Sequence, residues 1–368
     1  MNQLTLSLGP FVPSLGRYLP PRYSAICEYY YQNYSMFTLT LVGGLLAYSV
    51  DATDNKVNID FHSIVTRINA DKRSTWTATL PSDRDIHRAN DLIGGYIPYT
   101  GTPPMTKTFA TRVQVPDQYD ARLAHPFCPS IRRIRDQCGC GSCFAFGSIE
   151  AFEDRICIHN KKNITLSAED IISCHNDENM SCQGGNPIAV WQNIFAGRKA
   201  GDGAIQDSCY PYTIPTCPCN HHSLNSSLPN CPTEGTISTP QCDFGKKFSC
   251  EDKGIWKSQT PNLISAQDME QEIFQNGPIT VAYTVYDDFL TYKSGVYQKS
   301  ENAKALGGHS VKIVGYGTQN GVEYWTVANS WNAEWGDNGF FKIKRGVNEC
   351  NIESDAVVAG IPVTTKPQ

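Results

Sequence analysis

Cysteine placement constrains this chain more than any other feature. Of its 15 cysteines, all but Cys27 and Cys350 fall between Cys128 and Cys250. Such density in a chain of 368 residues points to an oxidising compartment, where disulfides form and persist. Zinc is the competing use, because Cys217-Pro218-Cys219 is followed by His221 and His222. No CxxC pair stands at ribbon spacing from these residues, so neither a metal nor any other cofactor is assigned. Three sequons, at Asn163, Asn179 and Asn225, suit a glycosylated lumenal chain. The formal net charge of -5 gives no electrostatic case for a nucleic-acid partner. With 40% hydrophobic and 18% charged residues, the composition is that of a globular protein.

Met36 to Val50 carries no charge and is followed by Asp51-Ala52. That is the length of a signal-peptide apolar region and too short for a stable membrane span. Residues 36–52 are therefore expected to be a secretory leader, which gives a secretory-pathway destination, lysosomal or extracellular. A leader begins at the terminus, so translation is expected to start at Met36, with residues 1–35 an untranslated extension. The alternative is a buried apolar strand or helix. Beyond it, Phe61, Ile64, Val65 and Ile68 follow i, i+3, i+4, i+7 spacing, which predicts a helix over about 58–73. Turn signals follow at Pro81, Gly94-Gly95, Pro98 and Pro103-Pro104, and the run around Gly101 reads as a linker.

Ala145, Ile149, Phe152 and Ile156 mark a second helix, and Gly139 and Gly141 break structure just before it. Ser142 is a natural cap there, which puts Cys143 on the first helical turn. Strands are predicted at 279–285, 310–316, 324–329 and 340–344, with a hairpin turn at Gln319-Asn320-Gly321. The chain thus reads as α+β, helices first and sheet after.

A thiol attacks only as thiolate, and a helix N-terminus and a neighbouring imidazolium both favour that form. Cys143 has the helix. His309 is the candidate base, since Gly307-Gly308 before it lets another backbone approach closely. Asn329 is the candidate orienter, with Trp331 shielding its bond, and the Cys143 N–H and the Gln137 amide are candidate oxyanion donors.

These segments resemble the papain-type cysteine proteases. Gln137-Cys138-Gly139-Cys140-Gly141-Ser142-Cys143 is similar to the family's nucleophile segment. Gly307-Gly308-His309 and Asn329-Ser330-Trp331 follow in the family's order, and Cys182-Gln183-Gly184-Gly185 matches its Cys-x-Gly-Gly segment. The resemblance covers about 115–362. It implies a two-domain fold, helical plus β-barrel-like, with the cleft between. It also implies that Gly184, Gly185, Gly308 and Ala282 contact substrate. The partners implied are protein and peptide substrates and cystatin-type inhibitors. A protease-like binding protein without activity is the rival reading, and it would need a lost nucleophile, base or orienter.

Cys219-Asn220-His221-His222, closing at Cys231, resembles the occluding loop of the cathepsin B branch. His221 and His222 would then hold a substrate's C-terminal carboxylate, adding dipeptide removal to internal cleavage. The loop spans about 217–231 of a mature domain over 115–368. Ser74-Thr75-Trp76 resembles that branch's propeptide, making 53–114 an inhibitory segment lying in the cleft in a non-cleavable direction. Family pairing implies disulfides Cys128–Cys157, Cys140–Cys182, Cys174–Cys242, Cys209–Cys250 and Cys219–Cys231. A bond between Cys138 and Cys217 is a further expectation. Leu228 stands where the branch has a latching Arg opposite the counterpart of Glu334, which predicts a loop that opens readily; Asp136 is the remaining latch, for His221. Asp355 or Ala356 would floor the S2 pocket, and Thr280 replaces a nearby acid.

Overall fold

The computed structural model describes residues 59–82, 85, 86, 89, 92–175, 180–197, 203–214 and 238–363, and the backbone of 38–42 and 45–49. It divides into two units, 1–59 and 60–368. In the first, strands β1 (Thr38–Val42) and β2 (Leu45–Ser49) form an antiparallel hairpin within the stretch expected to be a leader.

The second unit begins with α1 (Phe61–Ala70), shorter at both ends than the spacing predicts. Asp60 caps it by accepting the Ser63 N–H, and Ile64 and Ile68 are its buried positions. Strand β3 (Trp76–Ala78) follows, then β4 (Thr106–Lys107), β5 (Tyr119–Asp120) and the short α2 (Ala121–Ala124). The central helix α3 (Cys143–Asn160) is buried from Cys143 through Ile158. A helix buried on every side packs the core of a large domain rather than one surface. Around it stand α4 (Ala168–Cys174) and α5 (Pro187–Ala189), which continues as a π-helix over Val190–Phe195. Phe152, Trp191 and Phe195 interlock there, Phe152 stacked on Phe195 at 4.6 Å and edge-on to Trp191 at 5.4 Å. Next comes α6 (Phe244–Glu251).

The remaining chain is mostly sheet: β6 (Asn262–Ile264), then helix α7 (Met269–Asn276), then β7 (Ile279–Tyr286), β8 (Tyr292–Tyr297), β9 (Ala305–Gln319), β10 (Val322–Ala328), β11 (Phe340–Lys344) and β12 (Val358–Ala359). The order is β3-β8-β11-β10-β9-β7-β12-β6-β4, with β5 on β9. β3 and β4 pair with β8 and β6 and not with each other, so the sheet is open rather than a closed barrel. Both edges come from the segment ahead of residue 115. The β9–β10 turn has Asn320 and Gly321 at φ 51° and 79°, the left-handed pair that suits a two-residue hairpin.

Among the described residues, four disulfides close the helical side: Cys128–Cys157, Cys140–Cys182, Cys174–Cys242 and Cys209–Cys250. Cys217, Cys219 and Cys231 lie outside the described residues, and with them the expected Cys219–Cys231 and Cys138–Cys217 bonds and the zinc alternative.

Candidate active site

Cys143 opens α3, fully buried, with its sulfur against the first turn. The backbone N–H groups of Ser310, Phe144 and Cys143 near the sulfur favour the thiolate. Burial outweighs them and pushes the thiol up to about 12. Ser142 is not the side-chain cap expected of it: its hydroxyl meets the Tyr212 hydroxyl at 2.9 Å instead.

His309 lies within β9 and Asn329 just beyond the end of β10, which pairs antiparallel with β9. His309 Nε2 and Asn329 Oδ1 are 2.8 Å apart. The Ser330 N–H donates to the same Oδ1 at 2.8 Å, which fixes the amide's orientation. An amide oxygen only accepts, so His309 carries its proton on Nε2 and leaves Nδ1 as a bare lone pair. Among the described residues Nδ1 is buried without a hydrogen-bond partner. The Trp331 ring covers the imidazole at 4.8 Å. Burial drives the His309 pKa down to about 4, against the hydrogen bond to Asn329.

Gln137 is fully buried. Its Nε2 donates to the Cys140 carbonyl at 2.9 Å, its Oε1 accepts from the Ser330 hydroxyl at 2.8 Å, and its N–H donates to the Ser330 carbonyl at 2.9 Å. Ser330 therefore orients both the amide of Asn329 and that of Gln137. The sequence assigns Ser330 no role of its own; its place between Asn329 and Trp331 is the available signal.

The cleft is filled by the chain's own residues 94–97. The Gly94 and Tyr96 N–H groups donate to the Gly308 carbonyl at 3.0 and 3.3 Å. The Gly185 N–H donates to the Gly95 carbonyl at 3.0 Å, and the Ile97 N–H to the Gly185 carbonyl at 2.8 Å. The pairing of Tyr96 with Gly185 is parallel. Gly95 lies directly on the sulfur: a Cβ there would be 2.7 Å from Cys143 Sγ and 2.5 Å from the Gly141 carbonyl oxygen. Gly184, at φ +122°, leaves room for Ile97, and a Cβ on Gly308 would meet Tyr96 Cδ1 at 2.7 Å. Gly94-Gly95 signals only a turn in the sequence; its close fit to the sulfur is a tertiary fact.

Tyr96 packs against the core group that holds Ala282 and Ala356. Burial, with the Asp355 charge second, raises the Tyr96 pKa to about 12, and burial raises that of the Asp355 carboxyl itself. Asp355 is half-buried and Ala356 buried, so the carboxyl is the group with access to solvent. Thr280 is fully buried, accepting the Trp191 Nε1–H at 2.9 Å and donating to the Gly147 carbonyl at 3.1 Å. Asn163 is exposed; Asn179, Asn225, His221, His222 and Leu228 fall outside the described residues. Asp136 accepts the Cys138 N–H at 2.8 Å.

Residues 115–360 match the family model described as papain family cysteine protease. The chain is 42% identical over 272 residues to cathepsin B-like cysteine proteinase 6 of Caenorhabditis elegans, covering 71% of this chain and 70% of that one. It is 42% identical over 252 residues to cathepsin B of Dictyostelium discoideum, covering 68% and 76%. Among solved structures, procathepsin B S9 of Trypanosoma congolense superposes with a TM-score of 0.69 at 30% identity, over 82% of this chain and 98% of that one. The ragweed allergen Amb a 11 in its proform superposes with a TM-score of 0.62 at 22% identity, over 83% and 86%, a likeness of fold. With a family model over most of its length and cathepsin B-like relatives beside it, this chain belongs to the papain family of cysteine proteases.

Proposed function

We propose that the chain is a latent peptidase precursor that works by acyl transfer through a Cys143–His309 pair. The observation that carries this is the His309 imidazole, with Nε2 committed to Asn329 and Nδ1 unpartnered, on the strand whose next N–H faces the Cys143 sulfur. Nδ1 takes the thiol proton, and the thiolate adds to the peptide carbonyl carbon. The Cys143 N–H and the second Gln137 amide hydrogen hold the oxyanion. As the intermediate collapses, the imidazolium protonates the departing amine. His309 then removes a proton from water, which attacks the thioester and releases the acid.

In the latent state residues 94–97 exclude water and substrate, so both groups stay neutral. The parallel course of Tyr96 along Gly185 supports a segment laid in the non-productive sense within an inhibitory region over 53–114. The decisive experiment is activation of the full chain at acidic pH, followed by hydrolysis of a peptide library. Cys143→Ala should abolish turnover; hydrolysis at the parent rate would reject the mechanism.

The finer reading adds peptidyl-dipeptidase action through His221 and His222, with relatively strong endopeptidase action because Leu228 cannot latch the loop. Amidating a peptide's C-terminus should then slow dipeptide release and leave internal cleavage intact. Secretion through a leader at 36–52, translation from Met36, glycans on Asn163, Asn179 and Asn225, a lysosomal or extracellular site and cystatin sensitivity belong to the same proposal. N-terminal sequencing of unprocessed precursor tests the start: a peptide containing Glu28 to Tyr31 would reject it.

A further inference from the structure

Tyr212 stands outside the catalytic set, yet its hydroxyl joins the two walls from which oxyanion donors come. It donates to the Gln137 carbonyl at 2.8 Å. A tyrosine has one hydrogen to give, so the 2.9 Å contact with Ser142 is a bond donated by the Ser142 hydroxyl. One oxygen thus ties the loop bearing Gln137 to the residue before Cys143.

The tyrosine is itself held rigidly. Its ring meets Phe146 of α3 edge-on at 5.0 Å. The Arg135 guanidinium lies 4.9 Å from the same Phe146 ring. The next residue is pinned to α4: the Thr213 hydroxyl donates to Glu169 at 2.7 Å and its N–H at 3.2 Å. Burial raises the phenol well above its ordinary range, so the hydroxyl keeps its proton at any working pH.

We propose that Tyr212 is a positioning residue for the oxyanion site, setting the separation of the Gln137 amide from the Cys143 N–H. The inference rests on the acyl-transfer reading, in which those two groups are the donors. Oxyanion stabilisation depends on donors fixed in place before charge develops, so a wall free to shift weakens the transition state and not substrate binding. Losing one donor outright costs about 100- to 1,000-fold in kcat. Loosening one without removing it should cost about tenfold.

The test uses the full chain, activated, with Tyr212→Phe, which keeps the ring against Phe146. The expected result is kcat lowered about tenfold with KM within about twofold of the parent. Inactivation by iodoacetamide, which needs the thiolate but no oxyanion site, should be unchanged across pH. In a Gln137→Ala background the same change should cost less than about twofold. Equal losses in both backgrounds, alkylation slowed in step with kcat, or an unchanged kcat would each overturn the proposal. Gln137→Ala at full parental kcat would instead reject the oxyanion assignment beneath it. Should Tyr212→Phe not fold, Ser142→Ala decides: a two- to threefold kcat loss with normal alkylation supports the role, and no loss overturns it.

Discussion

Gly95→Ala should break the latency of the precursor while leaving the fold intact. The backbone at 95 has no left-handed φ, so alanine is tolerated conformationally and the effect is purely steric. The new Cβ would be 2.5 Å from the Gly141 carbonyl oxygen and 2.7 Å from Cys143 Sγ. Neither can retreat, because Gly141 is fixed by donating to the Cys182 carbonyl at 2.8 Å and Cys143 sits within a buried helix. The segment must lift. The nearest bonds are those of the Gly185 N–H to the Gly95 carbonyl and of the Tyr96 N–H to the Gly308 carbonyl. Each contributes about 0.5–1.5 kcal/mol net, so losing both costs about 1–3 kcal/mol. The open population should rise about five- to 150-fold. The assay is the rate at which iodoacetamide labels Cys143 in intact precursor at neutral pH, with chain length checked by mass. Labelling at the parental rate, in a variant with parental melting behaviour, would refute the idea that residue 95 covers the sulfur.

Acid should loosen the same latch through His309. Its pKa is about 4 when covered, against 6.5 for the free group, so covering favours neutral imidazole. The part of that stabilisation that comes from the covering segment is present above about 6.5 and is lost as pH falls towards 4. Hydrogen-exchange protection of Ile97 in Cys143→Ala precursor should fall over that window; constant protection would contradict it. Glu150 behaves oppositely. Burial outweighs the Lys312 charge and raises its carboxyl to about 7, so its protonation stabilises the fold below about 4.5 and the gain fades as pH rises through 7. Glu150→Gln should flatten the decline in melting temperature between pH 5 and 8; parallel curves would count against this. Trp76 lies edge-on to Tyr297 at 5.1 Å and donates its Nε1–H to the Gln298 carbonyl at 3.0 Å. Trp76→Ala should remove about 3–5 kcal/mol from the hold on β8 and speed maturation, with the mature enzyme's stability unchanged. Unaltered maturation would show that the anchor lies elsewhere.

Local chemistry made much of this legible. The strands in the last third could be read because each of β7, β9, β10 and β11 carries its own apolar run, and Asn320-Gly321 specifies its turn without help. Helix α3 was visible from one stripe, yet the structure buries its entire circumference, including Glu150, Glu153 and Asp154, whose partners Arg133, Arg135 and Lys312 are distant in sequence. No stripe calculation foresees that, since the neutralising charges arrive from the loop before α3 and from β9. Ser142 departs from its expected cap role for a related reason. The residue suits a cap, but Tyr212 offers a buried hydroxyl partner.

The sequence by itself determined which groups are present and in what order: a cysteine at a helix start, a histidine after two glycines, an asparagine before Ser-Trp, and the cysteines that clamp the helical side. Each follows from side-chain type and short-range spacing, which the linear chain contains. Only the tertiary structure decided the protonation of His309, the coverage of Cys143 by Gly95, the bridge made by Tyr212 and the openness of the sheet. Those depend on desolvation and on contacts between residues tens to hundreds of positions apart, which exist only once burial has brought them together.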